Sequence, residues 1–280
     1  MADQTTQLQQ FAIEVRAPGY WRVTFSNPPI NMLNSTTVLE LAEIASRIEA
    51  AEDLKVVVFA SENPAFWMAR YDLSDTNPVA FTPTASGVTL FIDSTLRLEK
   101  AAPITIASIR GRTRGGGSEF ALACDLRFAS LENTLLGQPE VGAGILPAGG
   151  GLERLAALVG PARALEIIAS SDDYDAVTAE RYGWINRALP DAELDAHVDA
   201  LARRLASFSG QALATVKRLV NRPTPAPLED YRETLAALRA QIGSPETAAR
   251  RAALVQHATA VGADFELRMG HHLGQVGAAS

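Results

Sequence analysis

Apolar residues return at helical spacing between Thr36 and Ala51, where Val38, Leu41, Ile44, Ala45 and Ile48 share one face, and this predicts an amphipathic helix. Just after it, "KVVVFA" (Lys55 to Ala60) is apolar without interruption, the pattern of a strand buried on both faces. A second such run, "ITIASI" (Ile104 to Ile109), follows a predicted helix over Thr89 to Lys100. Ahead of all these, Val15-Arg16-Ala17-Pro18-Gly19-Tyr20 reads as a turn between two short strands, and Asn27-Pro28-Pro29 ends the second, because proline cannot extend a ladder. Residues 74 to 87 carry Pro78, Pro83 and Gly87 without periodicity and read as a loop. A helix over Ser118 to Cys124 and a strand over Leu126 to Ala129 complete the first half. Strands alternating with helices require crossover connections, hence an α/β fold with a largely parallel sheet.

From Leu152 onward the pattern is helical, broken at Gly160-Pro161, Gly183, Pro190, Gly210, Pro223 and Gly243. Long stretches such as Leu228 to Ile242 carry apolar stripes that must cover either the α/β core or another subunit. No internal repeat or low-complexity tract interrupts the chain.

Composition narrows the class. With 280 residues, 47% hydrophobic and 20% charged, the chain can bury a sizeable core. A formal charge of −7 argues against a nucleic-acid partner, which needs a basic footprint. The single cysteine, Cys124, leaves no internal disulfide and fits a reducing compartment. The opening MADQTTQLQQ lacks the basic and apolar regions of a secretory signal, and no apolar run approaches the roughly 18 residues of a membrane span. The expectation is a cytoplasmic protein with no membrane partner.

Candidate chemistry concentrates between Gly111 and Gly151. Gly111-Arg112-Thr113-Arg114-Gly115-Gly116-Gly117 fails both the phosphate-loop and the dinucleotide patterns, since Gly117 stands where the phosphate loop needs lysine. Glycines before a helix either make a tight turn or let backbone N–H groups approach a ligand oxygen at the helix N-terminus. Ser118 lacks the glycine two residues on that a hydrolase elbow requires, since Phe120 stands there, and it reads as an N-cap. Cys124, in "ALACD", reads as a small buried hydrophobe. The four histidines show no metal-ligand spacing, and His271-His272 read as part of a mobile tail. Arg110, Arg112 and Arg114 alternate, which suits either an anion-facing strand or a solvated charged face. Glu119 and Glu140 each follow chain built for tight turns. Alone, either is an ordinary helix-start or loop residue; together they are suited to the acid and base halves of one reaction.

"IRGRTRGGGSEFALACDLRFAS", "GQPEVGAGILPAGGGLERL" and "AERYGWINRALP" resemble, in order, segments of the crotonase superfamily, the enoyl-CoA hydratase/isomerase family. The resemblance runs from about residue 11 to about residue 220, with weaker support from "VTFSNPPINMLN" and "KVVVFASENPAFWMARYDL". It implies a crotonase-like (ClpP/crotonase) fold of repeated ββα units over residues 1–200, carrying the acyl-CoA site, and a C-terminal helical oligomerisation region over 201–280. It also implies an acyl-CoA thioester substrate and a homotrimer or hexamer. Neither a metal nor a redox cofactor is implied; coenzyme A enters only as part of the substrate.

Carried over by residue, the resemblance places the two hydratase glutamates on Glu119 and Glu140. It places the oxyanion hole, which stabilises a thioester enolate, on the backbone N–H groups of Tyr71 and Gly116, with Ala69, Asp72, Leu73 and Ala148 among the substrate-binding residues. The implied reaction is addition of water across the 2,3 double bond of an enoyl-CoA. The alternatives are double-bond isomerisation with Glu140 as the single base, or a non-catalytic acyl-CoA-binding or assembly protein. The chain departs from the family pattern at Trp67, Met68, Arg70 and Tyr71, which suggest a crowded mouth. It also has one extra residue near Leu131, which threatens the register of the strand leading to Glu140, and Ala148 and Leu152 replace a usual glycine and threonine.

Overall fold

In the computed structural model, which describes residues 8–222 and 226–276, Gly19 (φ +75°) turns the chain between β1 (Phe11–Ala17) and β2 (Tyr20–Phe25) into an antiparallel hairpin. The left-handed backbone at this turn is why glycine stands there. Helix α1 (Ser35–Ala50) follows; the Asn34 side chain caps it by accepting from Thr37 N–H, while Thr37 Oγ1 accepts from Asn34 N–H, a reciprocal capping box. Its predicted apolar face, Val38 through Ile48, is buried.

Three ββα units come next. The first is β3 (Val56–Ser61), β4 (Phe66–Met68) and α2 (Leu90–Lys100); the second is β5 (Ile104–Ile109), β6 (Arg112–Arg114) and α3 (Gly116–Ala123). The third is β7 (Leu126–Ser130), β8 (Leu135–Gly137) and α4 (Gly151–Val159). The chain continues through α5 (Pro161–Ser170), β9 (Asp173–Asp175), α6 (Ala176–Tyr182) and β10 (Arg187–Leu189). It ends in α7 (Asp191–Ala206), α8 (Gly210–Val220), α9 (Leu228–Ile242), α10 (Pro245–Val261), α11 (Asp264–Leu267) and α12 (Met269–Gln275).

Each unit sends its first strand to one sheet and its second to another. The larger sheet has the order β1-β2-β3-β5-β7-β10 and is parallel beyond the hairpin; the smaller has the order β4-β6-β8-β9. These are the repeated ββα units of the α/β fold that the resemblance implies. The continuous apolar runs have the reason assigned to them: Val57 and Phe59 face the core that holds α1 and α3, while Val56 and Val58 face Leu194, Val198 and Ala202 of α7. The expected division at residue 200 falls inside α7.

Several expectations need correction. Strands β4, β6, β8, β9 and β10 are each three residues long, too short for a period of two to show in sequence. The 74–87 loop contains one 3-10 turn, Pro78–Ala80. Helix α3 starts at Gly116, so Ser118 lies inside it and caps nothing; its buried Oγ receives a long bond from Gln138 Nε2 (3.4 Å). His271 and His272 belong to α12, and His272 is buried, bonded to Asp264 and His257. The three alternating arginines are taken up by partners within the fold. Arg110 pairs with Asp191 and Asp195, Arg112 donates to the Leu267 carbonyl, and the buried Arg114 forks onto Asp173. The expected break at Pro223 lies outside the described residues.

Candidate functional site

The start of α3 and the end of β4 are pressed together by a missing side chain. A Cβ on Gly117 would overlap the carbonyl oxygen of Met68, so only glycine lets the two backbones meet. Beside it, Gly116 is the first residue of α3, where a backbone N–H has no acceptor within its own helix. A Cβ on Gly116 would lie 3.7 Å from Leu33 Cδ2. Leu33 in turn pairs with Tyr71 in an isolated parallel bridge: Leu33 N–H donates to Arg70 O and Asp72 N–H donates to Leu33 O, both at 2.8 Å. In such a bridge the N–H of the bracketed residue points the other way, so Tyr71 N–H is turned away from Leu33. Tyr71 and Gly116 thus both neighbour Leu33, the first along its backbone and the second beside its side chain.

Glu119 sits one turn into α3 and is buried. Its Oε1 accepts two backbone N–H groups from the glycine-rich turn ahead of α4, Gly149 at 2.6 Å and Gly151 at 2.9 Å. Arg154 of α4 braces that turn by donating to the Gly149 carbonyl (3.0 Å), and it is itself held by Glu99, by Thr95 Oγ1 and by the Tyr231 ring. Burial pushes the Glu119 carboxyl up to about 7, against the pull of its two backbone donors. Those donors are what sequence reasoning missed; the triple glycine at 149–151 was the available signal.

Glu140 follows β8 and opens a 3-10 turn, Val141–Ala143. Its Oε1 points at Gly115, where a Cβ would stand 2.5 Å away. Its Oε2 is sealed from solvent and has no hydrogen-bond partner among the described residues, although part of the side chain stays accessible. Burial, reinforced by the charge of Glu119, lifts this carboxyl well above the ordinary range. The extra residue near Leu131 does not disturb it: an exposed turn after Ser130 absorbs the insertion, and β8 keeps its register with β6 up to Arg114↔Gly137.

The other expected residues divide. Ala69 is buried, and its N–H is spent on Asn31 O. The Asp72 carboxylate accepts from Ser74, and Leu73 is exposed. Ala148 packs beside Val88, Ile92 and Tyr231. Trp67 and Met68 do not crowd the mouth: both are fully buried in β4, with Trp67 stacked on Phe120. Arg70 is drawn away to Glu266 of α11, and Tyr71 turns its hydroxyl to Asp75 (3.1 Å). Cys124 is buried, with its thiol pushed up to about 12 by burial, which leaves it inert. Among the described residues no three His, Cys, Asp or Glu side chains cluster as a metal cage, and no helix is long and apolar enough to cross a membrane.

The family model of enoyl-CoA hydratase/isomerase matches residues 17–254. The chain belongs to the enoyl-CoA hydratase/isomerase family. Over 201 residues, 71% of this chain and 77% of the relative, it is 32% identical to the short-chain-enoyl-CoA hydratase of Clostridium acetobutylicum. It is 29% identical, over the same coverage, to the crotonyl-CoA hydratase of Syntrophomonas wolfei. A Streptomyces avermitilis protein solved as a candidate enoyl-CoA hydratase superposes with a TM-score of 0.88 at 35% identity, covering 98% of this chain and 99% of that one. The Arg70 guanidinium joins the segment carrying Tyr71 to Glu266 of α11 and also donates to Tyr71 O (3.0 Å).

Proposed function

We propose that the protein is an enoyl-CoA hydratase, adding water across the 2,3 double bond of an enoyl-CoA thioester. The N–H groups of Tyr71 and Gly116 hold the thioester oxygen as it gains charge. Glu119, ionised, takes a proton from water as the water oxygen bonds to C3. Glu140, protonated, gives its proton to C2, so the enolate pair closes the C2–H bond and the carbonyl re-forms.

The observation that carries this proposal is the asymmetry of the carboxyls. Glu119 Oε1 receives two backbone donors, which favour its charged form, whereas Glu140 Oε2 receives none and is sealed. Environments that separate two carboxyls in this way assign the base and the acid. Family membership supports the thioester as substrate.

The test is to assay Glu119→Gln and Glu140→Gln on a 2-enoyl-CoA and a 3-enoyl-CoA. Each should lower hydration by about 10²–10⁴, the usual worth of a general acid or base. The double variant should be far less damaged than the product of the two losses. If hydration survives Glu119→Gln with little change, the two-glutamate mechanism is wrong; if only 3-enoyl isomerisation is seen and it depends on Glu140 alone, the protein is an isomerase. Binding without turnover of either substrate would make it an acyl-CoA-binding protein.

Assembly as a homotrimer or hexamer is part of the proposal, supported by the exposed Val216, Leu219 and Val220 on α8 and Leu158 and Leu165 on α4 and α5. A monomer mass by light scattering at micromolar concentration contradicts it. The cytoplasm is the proposed location, supported by the single buried, unpaired cysteine.

A further inference from the structure

Glu140 Oε2 has no hydrogen-bond partner among the described residues, and the donor to the carboxyl is the residue's own backbone N–H, so its aim depends on the backbone turn that carries it. Ala143 N–H (2.9 Å) and Ile145 N–H (3.0 Å) close the turn onto Glu140 O, and Gly144 reverses it at φ +81°. The carbonyls of Gly142 and Gly144 are left over, and α10 takes both. Thr247 Oγ1 donates to Gly144 O (2.6 Å), and Arg250 Nε donates to Gly142 O (2.7 Å). The remaining Arg250 nitrogens bond the carbonyls of Leu273 and Val276, so the same guanidinium ties α12 to the turn.

The fit is close. Added Cβ atoms would meet Leu273 and Ser171 at 3.0 Å from Gly142, and Thr247 Cα at 3.4 Å from Gly144. Thr247 is buried, and its hydroxyl oxygen also accepts from Ser244 Oγ (3.1 Å), which orients its proton toward Gly144.

We propose that Thr247 and Arg250 are positioning residues for Glu140: α10 of the same chain clasps the turn that aims the proposed acid at C2 of the thioester. The proposal rests on the assignment of Glu140 as that acid. The two residues act through the Gly142 and Gly144 carbonyls. A displacement of about 1 Å in a catalytic group costs up to about 10² in rate, so the clasp governs turnover more than binding.

The test is steady-state hydration of a short 2-enoyl-CoA by Thr247→Val, which keeps the shape and loses the hydroxyl, and by Thr247→Ser, which keeps the hydroxyl. Thr247→Val should lower kcat about 10- to 100-fold with KM nearly unchanged, and Thr247→Ser should recover most of that loss. Both should melt close to the parent. Arg250→Lys, which can satisfy only part of the guanidinium's set of carbonyls, should lower kcat in the same way. Normal kcat in Thr247→Val, equal damage in the valine and serine variants, or a rise in KM with kcat unchanged would each overturn the clasp. Glu140→Gln run alongside separates the two failures. If it is fully active, the acid assignment falls; if it is inactive while Thr247→Val is normal, only the clasp falls.

Discussion

Burial and the charge of Glu119 raise the proton affinity of Glu140, yet the two carboxyls share no donor: Glu119 Oε1 is cradled by Gly149 and Gly151, whereas Glu140 Oε2 has no partner among the described residues. This arrangement keeps one proton on the pair near neutral pH.

The rate of hydration should therefore follow a bell against pH. Glu119 must be ionised, so kcat/KM should rise as pH passes about 7, where burial places its carboxyl. Glu140 must stay protonated, so the profile should fall again at higher pH as its elevated carboxyl finally ionises. A rate that is flat from pH 5 to pH 10, measured by loss of enoyl absorbance, contradicts the assignment.

Stability should carry the same signature. Folding raises Glu119 from 4.5 to about 7, so the stability contributed by its protonated form is complete below pH 4.5 and is lost as pH rises through about 7. Glu119→Gln keeps an acceptor for both glycine N–H groups and never charges. Its Tm relative to the parent should improve by several degrees between pH 5 and pH 8.5. A Tm difference independent of pH would show that Glu119 does not titrate in the fold.

Two adjacent glycines should behave oppositely. Gly117→Ala places a methyl on the Met68 carbonyl and should cost enough stability to disrupt folding, whereas Gly116→Ala meets only Leu33 Cδ2 at ordinary contact distance and should fold normally. Gly116→Pro occupies the first position of α3, where proline is tolerated, and deletes the N–H. It should fold and lose about 10²–10³ in kcat. Circular dichroism with a turnover assay decides; a folded, fully active proline variant removes Gly116 from the oxyanion hole.

Arg154→Met removes the brace on the Gly149 carbonyl and a positive charge that holds the Glu119 carboxyl down. The rising limb of the pH profile should move to higher pH. An unmoved limb in a folded variant shows that Arg154 serves packing alone.

The larger sheet apart from β10, and the first helices, were legible in sequence because apolar runs such as "KVVVFA" are buried on two faces and α1 on one, so spacing reports burial directly. The smaller sheet was not, because strands of three residues such as Phe66–Met68 hold no full alternation. In the site, Glu119 and Glu140 stood out by their glycine contexts. Their different surroundings did not, because both come from chain distant in sequence: backbone donors at Gly149 and Gly151 for one, side chains at Thr247 and Arg250 behind the other. Backbone donors leave no trace in residue type beyond glycine itself. Arg114 and His272 misled for the opposite reason, since charged and titratable residues read as exposed until a partner such as Asp173 or Asp264 is seen.

The reach of α10 also sets an order of completion during synthesis. Glu119 finds both of its donors within 32 residues, whereas the Gly144 carbonyl waits 103 residues for Thr247. On the proposed roles, a chain emerging from the ribosome has the residues of both sheets and of Glu119's two donors long before α10 reaches the turn that carries Glu140. If the clasp holds, a nascent or clipped chain lacking α10 would carry Glu119 with its glycine donors but leave the Glu140 turn without its two side-chain ties.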